Sequence, residues 1–360
     1  MTRRKIAIIL FNLGGPDRLE AVEPFLFNLF SDPAIIRVPQ PFRWLIAKII
    51  SKTRSPTAKK IYEELGGGSP LLPLTEDQAK ALDLSFADSE DEYRSFIAMR
   101  YWKPFASDTA KAVKAWGADE IILLPLYPQY STTTSESSIR DWEEASKKAG
   151  LNLPVKGVFC YPLDEGFIAA YAALLQKAIE EARQVSPDLS SFRILFSAHG
   201  LPKKVIDAGD PYQAQVEACS AAIMSHIAAG IEWRNSYQSR VGPMEWIGPA
   251  TDDEIKRAGA EGKSLIVMPI AFVSEHSETL VELDIEYGKL AKESGVPHYI
   301  RVPAVADHPL FIQGLARLVK EAEHSEAGIW PENAPGREAL EKAGFRLIQT
   351  GPREKRRPDA

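Results

Sequence analysis

One short stretch holds most of the side chains able to do chemistry. Between Phe272 and Tyr287 the chain reads FVSEHSETLVELDIEY, which sets His276 among Glu275, Glu278, Glu282, Asp284 and Glu286. If the chain is α-helical from Ser277 onward, each step of four residues turns about 400°. Glu278, Glu282 and Glu286 then lie in one narrow stripe, with Leu280, Leu283, Tyr287 and Leu290 opposite. Like charges at that spacing cost a helix a few tenths of a kcal/mol per pair. Two readings fit. The stripe is the wetted face of an amphipathic helix, or it is a ladder of oxygen ligands beside an imidazole, suited to a divalent metal in transit. The stretch alone favours the wetted face.

Two further clusters bear on that choice. His199 sits between Ala198 and Gly200-Leu201-Pro202, on a tight turn after the apolar run Phe192 to Ser197. A side chain there projects into a cleft with few neighbours, unlike His226, His298, His308 and His324, which have no obvious ligand cluster. The segment Tyr237 to Trp246 offers Gln238, Ser239 and Arg240 for a carboxylate, and Met244 and Trp246 as a flat apolar wall. Arg100-Tyr101 and Tyr130 to Thr133 repeat this pairing of polar and aromatic groups. Anion-binding side chains, a flat wall, a histidine base and an acidic file suit a planar, aromatic, carboxylate-bearing ligand that meets a divalent metal. A porphyrin has that description.

The elements that must position these residues read as alternating strands and helices. Lys5 to Phe11 is an uninterrupted apolar strand, as strands buried on both faces are, and it ends in Leu13-Gly14-Gly15-Pro16. Val22 to Ile50 has helical spacing broken by Pro24, Pro33, Pro39 and Pro41. Within it, Phe42 to Ile50 is aromatic and carries two cations, Arg43 and Lys48, which fits either a membrane-touching lip or a buried helix. Ser107 is expected to cap a helix from Asp108 to Trp116. Further strands are expected at Phe96–Met99, Asp119–Leu126, Val155–Cys160, Phe192–Ser197 and Leu265–Ile270, with a long helix from Asp164 to Arg183. The triple glycine Gly66-Gly67-Gly68 lacks the Lys-Ser/Thr ending of a phosphate-binding loop.

An internal echo organises the whole. Leu13-Gly14-Gly15-Pro16 and His199-Gly200-Leu201-Pro202 both follow an apolar strand at an offset of 186, and Leu124-Pro125-Leu126 and Met268-Pro269-Ile270 each end a strand and precede a serine-bearing polar turn at an offset of 144. Two similar α/β units with parallel sheets are expected, dividing at 1–162 and 163–325 and followed by a charged, weakly ordered tail at 326–360. Ligands of open parallel sheets sit beyond the carboxyl ends of strands, so the turns bearing His199 and His276 are expected to converge at one cleft.

Composition limits the rest. The 360 residues include 43 basic and 49 acidic side chains, a net charge of −6, which argues against a nucleic-acid partner. Two cysteines, Cys160 and Cys219, are too few for a disulfide framework or a four-thiolate cluster. The apolar run Ile6 to Phe11 is too short for a signal peptide, and no stretch approaches the roughly 18 apolar residues of a spanning helix. A cytoplasmic setting is expected.

Eight motifs then carry a resemblance. FNLGGPD (11–17), FLFNLFSDPAIIRVP (25–39), LGGGSPLLPLT (65–75), MRYWKPF (99–105), LLPLYPQYSTTTS (123–135), FSAHGLP (196–202), YQSRVGPMEWIGP (237–249) and FVSEHSETLVELDIEY (272–287) are similar to the ferrochelatase family in sequence and in order. The resemblance implies two Rossmann-like domains with parallel sheets around a porphyrin cleft, and insertion of Fe2+ into protoporphyrin IX to form protoheme, the last step of heme synthesis. It implies His199 as the characteristic site histidine, Glu278 as its paired acid and His276 in support. His199, Glu278, Glu282 and Glu286 are the implied path of the metal, and Leu13, Arg54, Arg100, Tyr101, Gln238, Ser239 and Trp246 the implied porphyrin contacts.

Iron is a substrate in this reading, and no resident cofactor is implied. Relatives with an iron–sulfur cluster carry a cysteine where this chain has Thr132, so none is expected. Leu13 stands where relatives often have Met or Tyr, which argues against a metal path on that side, and Thr57 stands where many have Lys, which puts one propionate contact in doubt. The implied partners are protoporphyrin IX and ferrous iron, with peripheral contact at the inner membrane. A coproporphyrin ferrochelatase and a non-catalytic porphyrin-binding protein are the alternatives.

Overall fold

A computed structural model describes residues 3–228, 230–240 and 242–342. The first half runs β1 (Lys5–Asn12), α1 (Val22–Ser31), α2 (Gln40–Glu64), α3 (Leu71–Leu84), β2 (Glu92–Met99), α4 (Ala106–Trp116), β3 (Glu120–Pro125), α5 (Ser135–Ala149) and β4 (Val155–Gly157). After the long α6 (Glu165–Val185) come β5 (Phe192–His199), α7 (Lys203–Asp207), α8 (Tyr212–Ser225), β6 (Glu232–Gln238), α9 (Thr251–Ala260) and β7 (Ser264–Pro269). A π-helix (Glu278–Glu286) leads into α10 (Tyr287–Glu293), β8 (Tyr299–Arg301), α11 (Pro309–His324) and α12 (Arg337–Lys342).

The strands form two four-stranded parallel sheets, ordered β2-β1-β3-β4 and β6-β5-β7-β8. The order is the same in each, and so is the register. Phe11 faces Pro125 in the first sheet, and Ser197, 186 positions on, faces Pro269 in the second. The expected α/β fold with a repeated unit is therefore the observed one.

Strand alternation explains the burial. Ile6, Ile8 and Leu10 enter a core shared with Ile194 and Phe196 of β5, while Ala7, Ile9 and Phe11 enter a second core against α4 and α5. The central strands β1, β3, β5 and β7 are buried on both faces, since successive side chains point to opposite sides. The shared core holds α6 and α11 between the sheets, so helix packing crosses residue 162.

Several expectations are corrected. The helical spacing from Val22 to Ile50 is broken between α1 and α2, where Pro33 and Pro39 lie, but not at Pro24 or Pro41, which fall in first turns where the missing N–H has no partner to lose. Helix α4 starts at Ala106 with Phe105 at the N-cap, not Ser107, and that cap makes no side-chain hydrogen bond. The strand expected to reach Cys160 ends at Gly157. The start of the tail is also packed. Trp330, Ala334 and Leu340 are buried in the outer core of the first sheet, and Ile329 bridges Val158. These apolar residues are too widely spaced to show among charges and prolines. The basic run Arg353 to Arg357 lies outside the described residues.

Candidate active site

Both sheets end at one cavity of about 490 Å3, a typical size for a small-molecule site. The first half contributes Asn12, Leu13, Phe30, Arg54, Leu71 and Tyr101 to its lining; the second contributes His199, Ser239, Trp246, Val273, His276 and Glu278. The two histidine-bearing turns do converge.

His199 is the last residue of β5, in register with Gln238. Gly200 follows because the backbone comes close there: an added Cβ would lie 3.0 Å from the Gln238 carbonyl oxygen and 3.3 Å from the Trp246 ring. Pro202 bridges Trp246, and the Ile247 N–H donates to the Leu201 carbonyl, which seats the tryptophan beside the histidine turn.

Glu278 opens the π-helix. Its Oε2 lies 2.8 Å from His199 Nδ1, and the two side chains are 24% and 39% exposed, so the pair faces the cavity. Burial opposes charge on the imidazole, but the Glu278 charge and hydrogen bond outweigh it, with help from Glu282, and hold His199 above the ordinary range. Burial likewise opposes charge on Glu278, yet His199 holds that carboxyl well below its usual range. His276 behaves differently. Desolvation wins over Glu278 and Glu275, so it stays neutral to lower pH, and its Nδ1 is buried without a partner.

The expected acid stripe is divided by the helix type. The Tyr287 N–H bonds to the Glu282 carbonyl, five residues back, so the turn is wider than an α-turn. Glu282 does not line the cavity. It accepts from Gln238 Nε2 (3.0 Å), the Ser239 N–H (2.9 Å), Ser239 Oγ (2.5 Å) and the Tyr287 hydroxyl (3.1 Å). Burial, reinforced by the charge of Glu278, pushes its carboxyl up. Glu286 is exposed and outside the lining. Among the described residues no three His, Cys, Asp or Glu side chains group to hold a metal. His199 and Glu278 form a pair at the wall rather than the head of a file.

The expected porphyrin contacts also separate. Leu13, Arg54, Tyr101, Ser239 and Trp246 line the cavity. Gln238 lies behind it, donating to the Glu278 carbonyl (3.0 Å) and accepting from Ser197 (2.7 Å). Arg100 faces a second, polar hollow, held by Asp32 and by Ser137 (both 2.8 Å). The reason is Asp32, which sequence reasoning missed. This buried carboxylate takes Arg100, the Tyr101 hydroxyl (2.8 Å) and Ser137 Oγ (2.5 Å) on one oxygen and turns the arginine away from the ring site.

A family model for ferrochelatase matches residues 5–323. The chain belongs to the ferrochelatase family. The ferrochelatase of Phenylobacterium zucineum (strain HLK1) is 57% identical over 314 residues, covering 87% of this chain and 90% of that protein. The ferrochelatase of Caulobacter vibrioides (strain NA1000 / CB15N) is 54% identical over 321 residues, covering 89% and 90%. Among solved structures, the cobalt complex of the sirohydrochlorin chelatase SirB from Bacillus subtilis subspecies spizizenii matches with a TM-score of 0.51 over 90% of this chain and 97% of that one. At 12% identity that likeness concerns the fold alone.

Sequence reasoning also passed over two cavity-lining cations of this ferrochelatase-family chain, Arg37 and Lys204. Neither belongs to a cluster; each becomes visible only when the cleft is assembled.

Proposed function

We propose that this chain inserts ferrous iron into protoporphyrin IX, with His199 taking the pyrrole protons and Glu278 orienting and stabilising the imidazole. Metalation removes two N–H protons and places Fe2+ at the ring's centre. Glu278 accepts from Nδ1–H of His199, which leaves the Nε2 lone pair free to act. A proton taken there makes an imidazolium beside an anion, the arrangement that general-base chemistry needs. The partly exposed imidazole then passes the proton to water and is ready for the second. Carboxylate and imidazole suit a borderline cation without holding it as thiolates would.

The observation that carries the choice of porphyrin is where the cavity keeps its cations. Arg37, Arg54 and Lys204 are all exposed at its edge, while among the described residues the buried part of the lining, such as Leu71, Tyr101, Leu126 and Val273, includes no Lys or Arg. Protoporphyrin bears its two propionates on neighbouring pyrroles and apolar groups elsewhere, so it fits with the acidic edge outward. Coproporphyrin carries propionates on all four pyrroles and would bury carboxylates against apolar wall, at several kcal/mol each. Insertion of Fe2+ and Zn2+ into the two porphyrins tests this; faster coproporphyrin metalation would overturn it.

No iron–sulfur cluster belongs to this reading, since two buried cysteines cannot supply four thiolates. Peripheral membrane contact does. Ile35, Phe42, Trp44, Leu45 and Ile49 are exposed on the segment whose Ile36 and Ile50 line the cavity, and Arg43 and Lys52 flank them. Apolar side chains beside cations suit a bilayer surface with anionic headgroups. Among the described residues no helix is long and apolar enough to cross a membrane.

A further inference from the structure

We infer that Lys204 pairs with a propionate carboxylate of the porphyrin, so that the ring's acidic edge is gripped from both halves of the cleft. This rests on the porphyrin reading above. Lys204 lines the cavity from α7, five residues past His199, and is exposed at the mouth. Its neighbour Lys203 is engaged: Nζ lies 3.0 Å from Glu245, and its N–H donates to the Glu245 carbonyl. Lys204 is not engaged, for among the described residues no carboxylate lies within ion-pair distance of it. Buried Val205 beside it anchors the short helix, so the flexible stem of Lys204 moves from a fixed base.

The opposite side repeats the pattern. Arg37 and Arg54 line the cavity from the first half, and neither has a carboxylate partner among the described residues; Arg54 rests over the Phe30 ring at 5.8 Å. Among the described residues the lining has a single carboxylate, Glu278, already paired with His199. Three cations at the mouth, none with a carboxylate partner among the described residues, make a positive rim that draws an anionic edge and orients it outward. Among the described residues Lys204 is the cation of that rim supplied by the second half, and it sits in the short helix that follows the turn after His199. A carboxylate held there fixes how far the ring enters relative to His199.

The test compares protoporphyrin IX with its dimethyl ester, using Zn2+ insertion and porphyrin binding read by tryptophan quenching. Lys204→Met is expected to raise KM for the diacid about threefold to fivefold with kcat little changed, the size of an exposed ion pair. Lys204→Glu is expected to raise it about tenfold, and Lys204→Arg to restore it. The ester should respond to none of these, and added salt should erase the difference. An unchanged diacid KM in Lys204→Glu, or an equal rise for the ester, overturns the assignment. A wild type that binds the diacid in preference to the ester through Lys204, yet inserts no metal, keeps Lys204 and sinks the catalytic reading instead.

Discussion

Arg301 grips Asp284 with both arms of its guanidinium, Nε to Oδ1 at 2.6 Å and Nη2 to Oδ2 at 2.7 Å. Its third nitrogen reaches Glu275 at 2.5 Å, so one side chain from the end of β8 holds both the approach to the π-helix and its middle. Tyr299, two residues earlier, donates to the Leu283 carbonyl at 2.8 Å. Glu278 lies between the anchored points. Arg301→Lys keeps the charge and loses the fork. It is expected to lower kcat for Zn2+ insertion about tenfold while KM for porphyrin moves less than twofold, with a lower melting temperature. An unchanged kcat would mean that the π-helix holds its shape without this clamp.

The His199–Glu278 pair sets a pH dependence with a definite sign. His199 is raised, so the free base appears only as pH climbs past a value above the ordinary imidazole range, and the acid limb of kcat/KM lies there. The stability contributed by the pair is present below the unfolded histidine's pKa and is lost as pH rises through the folded one; Glu278, being depressed, loses its share only in strong acid. Glu278→Gln removes the charge that raises His199, so the acid limb should move to lower pH as the maximal rate falls. His199→Ala should abolish insertion and leave porphyrin affinity within about tenfold. A limb that stays in place in Glu278→Gln would show that another group titrates.

Glu282 and Glu278 should part company in mutagenesis. Ser239 adopts φ 64°, a left-handed conformation uncommon for serine, and Glu282 holds it there through both its N–H and its hydroxyl. Glu282→Ala leaves those half-buried donors without their acceptor and is expected to cost about 1 kcal/mol of stability. Chemical denaturation measures this loss. Below the melting transition, insertion should fall far less than in Glu278→Ala; an equal fall with unchanged stability would restore Glu282 to the metal path.

The exposed lip predicts a surface-binding phenotype. Phe42→Ser with Trp44→Ser should weaken co-sedimentation with vesicles containing anionic lipid several-fold, with insertion into detergent-dispersed porphyrin little changed. Equal vesicle binding by the double variant would remove the lip from membrane contact.

Much of the fold was legible because burial on both faces leaves a local mark. Ile6 to Phe11 can be read as a two-faced core strand from its run of apolar types, and the Gly-Pro turns 186 residues apart marked the repeat that the sheet registers display. The π-helix was not legible, because the acids at 278, 282 and 286 look alike whether the turn closes at four residues or five. Nor was Asp32, whose partners Arg100, Tyr101 and Ser137 lie 68, 69 and 105 positions away.

The sequence by itself determined the inventory: two parallel sheets, a histidine at the end of a strand, acids in reach of a second strand's turn, and the family these motifs belong to. The resemblance implied Glu278 as the acid paired with His199; only the tertiary structure shows how its surroundings differ from those of Glu282. Glu278 and Glu282 are the same residue type four positions apart, yet one faces His199 across 79 residues of chain and the other is enclosed by four donors. A carboxylate's chemistry follows from what surrounds it, through desolvation, neighbouring charge and hydrogen bonds, and those neighbours come from distant parts of the chain that meet only when the two sheets close on the cleft.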